Sequence, residues 1–185
     1  RGAGLTAWVA LVRRGALQRG ETLLVHGAGG GTGLAAVQLG HHLGARVIAS
    51  ASSGDKRALA LAGGADAAVD ARAEDWRDQV KAANGGKAVD VVFDPVGGEA
   101  TDPAFRSLAW GGRHLIVGFP GGIAALRTNL PLLKGASLIG VDLRQFGEIE
   151  PERAAANRAK LFELAAQGVL RPAIAGAYPI ERFAA

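Results

Sequence analysis

The sequence contains no cysteine, no methionine and a single tyrosine among its 185 residues. Without a thiol, the chain can form neither disulfide bonds nor thiolate metal sites. It also lacks an apolar run long enough to span a bilayer and an apolar signal-peptide segment near its start. These absences predict a soluble cytoplasmic protein. The missing methionine, and a tail that stops where a new helix begins at Ile180, predict a piece of a longer polypeptide.

Charge of one sign is not concentrated anywhere in the sequence. The formal net charge is +4, but arginine and lysine are scattered among acidic residues, and no basic patch is interleaved with aromatic residues. This distribution gives nucleic-acid binding little support. A length of 185 residues and a hydrophobic fraction of 49% suit one domain with a substantial core.

Glycine is abundant, and one glycine cluster stands between a short apolar strand and an apolar-faced helix. The cluster reads Ala28-Gly29-Gly30-Gly31-Thr32-Gly33, which is the Gly-x-Gly-x-x-Gly dinucleotide fingerprint with alanine in first place. A helix N-terminus offers unpaired N–H groups to a pyrophosphate, and glycines let the backbone approach it. We expect Gly30 to make that approach and Gly33 to pack the helix on the strand. The alternative is a glycine-rich turn that binds no ligand.

The end of the second strand discriminates between the two nicotinamide cofactors. NAD-binding versions of the motif carry an acidic residue about 20 residues after the glycines, and here that position falls near the apolar Ala51. Ser52 and Ser53 can donate hydrogen bonds to a 2′-phosphate, while Lys56, with Arg57 as a further candidate, can supply positive charge. The pattern therefore predicts NADPH. In the alternative, Ser53 only caps the next helix and Lys56 is a solvated side chain.

Strand-like and helix-like segments alternate along most of the chain. This alternation predicts an α/β, doubly wound Rossmann fold with a six-stranded parallel sheet and helices on both faces. The expected strand order is 3-2-1-4-5-6. The predicted strands are 22–26, 46–50, 67–70, 89–93, 113–118 and 137–143, and the predicted helices are 5–18, 32–43, 54–63, 74–84, a segment ending near 109, and 150–167.

The ligand of such a fold lies across the carboxyl ends of the strands, where the strand order reverses. We expect three loops to meet there: the glycine cluster, the Val96–Gly97 turn, and Val117-Gly118-Phe119. Small residues in the Val96–Gly97 turn would leave space for the flat nicotinamide ring. The alternative is that these glycines belong to ordinary turns.

Several short sequence motifs follow one another along nearly the whole chain. They are Leu5-Thr-Ala-Trp-Val-Ala-Leu, residues 20–33, Gly44-Ala-Arg-Val-Ile-Ala, residues 90–98, Gly111-Gly-Arg, residues 132–141, and residues 168–172 with Tyr178-Pro-Ile. In these motifs the chain resembles the cofactor-binding half of the medium-chain dehydrogenase/reductase superfamily, specifically the zinc-independent quinone oxidoreductase branch.

The resemblance implies that residues 28–33 bind NADPH and that Thr6 lies near the nicotinamide. It also implies that a GroES-like substrate domain precedes residue 1 and that the C-terminal end of the domain is missing. Thr32 stands where the family usually has valine, and Ala71 stands where some members carry a tyrosine near the cofactor adenosine.

Zinc alcohol dehydrogenases share the fold that this resemblance implies. Their metal-ligand cysteine stands four residues before the equivalent of Thr6, where this chain has Gly2. The histidines do not substitute, because two fall in strands and two are adjacent on a helix and face apart; they are His26, His41, His42 and His114. We therefore expect no metal site.

The reaction that the resemblance implies is hydride transfer from NADPH to a quinone or an α,β-unsaturated carbonyl. The sequence shows no nucleophile–base pair, and Asp94 is expected to end a strand, so no catalytic residue is assigned. One alternative is the enoyl reductase module of a polyketide or fatty-acid synthase, and another is a non-catalytic NADPH-binding module. We expect the isolated chain to be inactive, and we expect a homodimer through the apolar edge strand 137–143, where the family pairs.

Overall fold

The computed structural model describes residues 2–174, 176 and 179, so the helix predicted at Ile180 lies outside the described residues. The strands are β1 (Thr22–Val25), β2 (Arg46–Ala51), β3 (Ala67–Asp70), β4 (Val89–Asp94), β5 (Leu108–Ile116) and β6 (Ser137–Gly140). The helices are α1 (Gly2–Trp8), α2 (Gly31–His42), α3 (Gly54–Ala62), α4 (Trp76–Ala83), α5 (Thr101–Arg106), α6 (Asn129–Lys134), α7 (Leu143–Ile149) and α8 (Pro151–Ala166). Among the described residues, no helix is both long and apolar enough to cross a membrane.

All six strands form one parallel sheet in the order β3-β2-β1-β4-β5-β6, which confirms the predicted fold and strand order. Successive residues of each strand point to opposite faces. Val25 belongs to the core cluster that contains Val37 of α2, whereas Leu24 and Ile48 belong to a second cluster with Val80 of α4. Both faces of the sheet are therefore covered, which explains why its strands are short apolar runs.

Helix α2 lies close to β1 because a glycine faces the strand. A Cβ atom added at Gly40 would come within 2.6 Å of Leu23 Cδ2 and 3.0 Å of Val47 Cγ2. This close packing places the N-terminal end of α2 directly after the carboxyl end of β1, where the glycine cluster connects them.

The predicted strand 137–143 is wrong beyond Gly140. Asp142 instead caps α7, because its carboxylate accepts hydrogen bonds from the backbone N–H groups of Arg144 and Gln145 at 2.9 and 3.0 Å. The alternation of apolar residues in the sequence continues past the end of the strand into a helix. The helix is favoured over a longer strand here because the cap satisfies two N–H donors that would otherwise be unpaired.

The helix predicted to end near residue 109 is also wrong at its end. Helix α5 stops at Arg106, and β5 begins at Leu108, five residues before the predicted strand. Leu108 pairs with Val89, and the register then shifts before Arg113 pairs with Val91. The two glycines between Leu108 and Arg113 concealed this bulged start, because glycine within a strand pattern weakens the strand signal.

The first predicted helix, 5–18, begins earlier and ends earlier than expected. Helix α1 begins at Gly2 and continues from Val9 to Arg14 as a π-helix, closed by a 2.7 Å hydrogen bond from Gly15 N to Ala10 O. Ala16 then has a φ of 44°, which a helix cannot accommodate. Helices α6 and α7 were not predicted.

Candidate dinucleotide-binding site

The predicted glycine cluster forms a tight turn between β1 and α2. Ala28 N donates to Ser50 O of β2 at 3.1 Å, and Gly30 N donates to Gly27 O at 2.9 Å. Gly30 occupies the N-cap position of α2, and within the described chain no side chain caps it. The first N–H groups of α2 therefore face outward as a potential anion site.

Individual glycines of the turn are required for different reasons. A Cβ atom at Gly33 would lie 2.2 Å from Gly27 O, as the helix-packing role expected of Gly33 requires. A Cβ atom at Gly30 would meet Gly27 O at 3.3 Å, whereas one at Gly31 would meet no described heavy atom within 4 Å. The space beside Gly31 is therefore open to a ligand, and Thr32 follows it as the second residue of α2.

Lys56 lies directly against this turn. A Cβ atom added at Gly29 would come within 2.5 Å of Lys56 Cβ, so only glycine allows the first turn of α3 to pack here. Ser53 caps α3 by accepting from Lys56 N at 3.4 Å, as in the structural alternative, but its hydroxyl hydrogen stays available to an acceptor. Arg57, the further candidate for the 2′-phosphate, instead forms an ion pair with Asp70, with a nitrogen–oxygen distance of 3.0 Å.

A cavity of about 690 Å³ opens at the ends of β2 and β4, with Ser52 and Val96 among its lining residues. Its wall includes an aromatic pair that the sequence did not single out. The His26 ring stacks on Trp76, with ring centroids 4.9 Å apart, and the indole N–H of Trp76 donates to Ser50 Oγ at 2.9 Å. Burial lowers the pKa of His26 to about 4, although Asp94 acts in the opposite direction. The position of His26 directly after β1, at the carboxyl edge of the sheet, was the sequence signal that could have identified it as a site residue.

A second cavity, of about 740 Å³, is lined by four more of the predicted residues. Thr6 of α1 lines it together with Val117, Gly118 and Phe119, and α7 forms the facing wall. Thr6 Oγ1 donates to Gly2 O at 2.9 Å. The structure therefore brings Thr6 together with the loop after β5, while the contribution of α7 was missed because 141–143 were interpreted as strand.

Gly97 lies beside this second cavity rather than in its wall. Its backbone N–H donates to Asp94 Oδ1 at 2.9 Å, and its φ of 71° favours glycine. Asp94 ends β4, as expected, and is buried. The turn after β4 is thus held from beneath by a carboxylate.

The histidines do not fit a zinc site. His41 and His42 are exposed neighbours on α2, His26 is stacked on an indole, and His114 lies 3.0 Å from Asp94 Oδ2. Among the described residues, no group of three or more histidine, aspartate or glutamate side chains could hold a metal ion.

The parallel sheet, its strand order and the glycine turn at the start of α2 together define a Rossmann-type dinucleotide-binding domain. The chain belongs to the zinc-binding dehydrogenase family, which matches residues 31–158, and within the medium-chain dehydrogenase/reductase superfamily it falls in the quinone oxidoreductase branch.

Three relatives illustrate this membership. Quinone oxidoreductase-like protein 2 of Rattus norvegicus is 35% identical over 179 residues, which cover 96% of this chain and 51% of the rat protein. The native structure of mycobacterial Rv1454c complexed with NADPH matches at 31% identity with a TM-score of 0.88, covering 97% of this chain and 56% of that one. The nucleotide-binding subdomain of the enoylreductase domain of PpsC from Mycobacterium tuberculosis matches at 34% identity with a TM-score of 0.80. The match covers 93% of this chain and 97% of the subdomain. The chain thus spans about half the length of the rat protein.

Proposed function

We propose that this chain is the NADPH-binding half of a zinc-independent oxidoreductase that reduces a quinone or an α,β-unsaturated carbonyl. The observation that carries the proposal is the packing of Lys56 on Gly29, which brings a lysine against the glycine turn, while the position where NAD-dependent folds carry an acid falls near the apolar Ala51. Kinship with the quinone oxidoreductase branch supports the acceptor class.

The residues present fit the phosphates of NADPH. The uncapped N-terminus of α2 provides N–H donors for the pyrophosphate, and the open space beside Gly31 admits it. Lys56 and the hydroxyls of Ser52 and Ser53 would hold the 2′-phosphate, because charge-assisted hydrogen bonds to phosphate are the stronger kind.

The other half of the cofactor would lie at the loops after β4 and β5. These two loops would orient the nicotinamide and exclude water from it. The first contributes Val96 and Gly97, and the second contributes Val117, Gly118 and Phe119. Bound NADPH supplies the hydride, so this chain needs to position and shield rather than to ionise a group. The walls that select the acceptor would include Thr6 and the preceding domain.

The two cofactors distinguish this proposal from a turn that binds no ligand. Calorimetric titration of the chain should show tight binding of NADPH and much weaker binding of NADH. Lys56→Ala should weaken NADPH binding about three- to tenfold and leave NADH binding unchanged, because it removes an exposed, screened contact to the 2′-phosphate. Lys87→Ala, at an exposed lysine before β4, is the matched control. Equal binding of both cofactors by the unaltered chain would rule out the phosphate pocket.

An enoyl reductase module of a synthase is a second candidate. The observation that favours it is the match to the PpsC enoylreductase subdomain, which this chain covers to 97%. Kinetics of the full-length protein would separate the two candidates: quinones as the preferred acceptors favour the first, and enoyl thioesters favour the second.

We also propose that the protein forms a homodimer through the free edge of β6, which is shorter than the predicted strand 137–143. The edge residue Leu138 is 42% exposed, and Trp110, which lies against Gly135 shortly before β6, is 80% exposed. Leu132 and Leu133 of α6 are also exposed. An apolar strand edge flanked by exposed apolar side chains suits pairing with a second copy.

A further inference from the structure

A buried carboxylate lies beneath the turn that follows β4. Asp94 is 1% exposed. Its Oδ1 atom accepts the backbone N–H groups of Val96 and Gly97, each at 2.9 Å. Its Oδ2 atom accepts the hydroxyl of Thr101 at 2.8 Å and lies 3.0 Å from His114 Nε2. One side chain therefore joins the end of β4, the turn, the start of α5 and the neighbouring strand β5.

His114 makes a hydrogen bond to Asp94 from a fully buried position, and its ring stacks on Phe105. Burial alone would raise the pKa of Asp94, but hydrogen bonds from His114 and Gly97 outweigh burial and hold it well below its ordinary range. The carboxylate is therefore ionised and can only accept, so His114 Nε2 is the donor. His114 Nδ1 finds no hydrogen-bond partner among the described residues, so Asp94 is the hydrogen-bonding partner that orients the ring, in addition to the stacking contact with Phe105.

The turn above Asp94 is joined to the loop that follows β5. Val117 N donates to Asp94 O at 2.9 Å, Gly121 N donates to Val96 O at 2.8 Å, and Gly98 N donates to Gly122 O at 2.8 Å. The fit is tight, because a Cβ atom at Gly98 would lie 2.1 Å from Gly121 O. The turn above Asp94 and the loop after β5 are therefore held in one hydrogen-bonded framework.

We propose that Asp94 and His114 are positioning residues for the nicotinamide half of the cofactor site, a role that rests on the proposed function. Both lie below the loops, and neither needs to touch the cofactor. Without the N–H group of His114, Asp94 Oδ2 would keep only the hydroxyl of Thr101, and the carboxylate could turn. The acceptor of the Val96 and Gly97 N–H groups would then no longer be fixed, and the paired loops would lose their common geometry.

Two probes separate this role from a general effect on the fold. NADPH engages both halves of the site, whereas 2′,5′-ADP carries the phosphorylated adenosine and no nicotinamide. His114→Leu removes the donor, and His114→Gln keeps an N–H group at a similar reach. We expect His114→Leu to bind NADPH about tenfold more weakly while its affinity for 2′,5′-ADP changes less than about twofold. His114→Gln should stay close to the unaltered chain for both probes.

Calorimetric titration and thermal unfolding give clear outcomes. Unchanged NADPH binding by His114→Leu, or equal weakening of both probes, overturns the positioning role. If His114→Leu fails to fold, Thr101→Val removes the other donor to the same oxygen with little change in volume, and the same selective loss is expected. An unaltered chain that binds 2′,5′-ADP as tightly as NADPH also overturns the role. Binding of neither probe overturns the proposed function itself, and this inference with it.

Discussion

At the scale of single residues, the glycines of the turn differ in what requires them: two are needed for packing within the fold, and one would be needed for a ligand to approach. Gly29 packs against Lys56, and Gly33 packs against the carbonyl oxygen of Gly27. At both positions the absence of a side chain is needed for the packing of the protein itself. Gly31 faces open space and has no unusual backbone conformation. A sequence pattern cannot make this distinction, because it records only that an alanine and two glycines stand at the three fingerprint positions, with two further glycines between them.

Two alanine substitutions should therefore behave differently. Gly31→Ala should change the free energy of unfolding by less than about 1 kcal/mol, because alanine is accepted early in a helix. It should nevertheless weaken NADPH binding about tenfold by filling the space at the helix N-terminus. Gly33→Ala should cost about 1–3 kcal/mol of stability, because its Cβ would meet backbone atoms. Urea unfolding and titration of both variants check this. A Gly31→Ala protein with full affinity would contradict the close approach of a ligand.

His26 makes stability depend on pH. Its pKa is lowered by burial from 6.5 to about 4, so the unfolded chain takes up a proton between these values before the folded chain does. Stability is thus fully present above about pH 6.5 and falls as the pH drops toward 4, by about 2 kcal/mol between pH 7 and pH 5. His26→Phe keeps the stack on Trp76 and should flatten this part of the profile. Urea midpoints measured across that range would show an unchanged slope if His26 were not responsible.

At the scale of elements, the sequence predicted the first four strands closely and missed the elements fixed by single contacts. β1 to β4 were predicted within one residue because each is a short, mainly apolar segment followed by a turn signal. The bulged start of β5, the cap at Asp142 and the π-helix at Val9–Arg14 each depend on one local hydrogen-bonding choice. The positions of the predicted loops also follow from strand order, whereas the His26–Trp76 stack and the Asp94–His114 pair require the tertiary structure.

The cap of α7 is testable on its own. Asp142→Ala should lose about 1 kcal/mol of stability, because two N–H groups of α7 lose their acceptor. Asp142→Asn keeps a capping oxygen and is the matched control. Since α7 lines the cavity that contains Thr6, we also expect weaker NADPH binding in the alanine variant alone. Thermal unfolding and titration of the pair measure both effects, and identical behaviour of the two variants would argue against the cap.

At the scale of the whole molecule, the residues proposed to bind the cofactor gather at one edge of the sheet. The carboxyl ends of the strands carry the phosphate turn, the two paired loops and both cavities, while the chain covers about half of its rat relative. Cofactor binding is therefore the property to test on this chain.

The free edge of β6 provides the last test, because assembly through it requires no partner other than a second copy. Leu138→Lys places a charge on that edge and should convert a dimer to a monomer at tens of micromolar, since charged residues block edge-to-edge pairing. Leu61→Lys is the matched control, because Leu61 on α3 is 46% exposed, close to the 42% of Leu138, and lies away from the edge. Sedimentation should show a dimer for the unaltered chain and for Leu61→Lys. A monomeric unaltered chain would remove the proposal, and a Leu138→Lys dimer would move the interface to another surface.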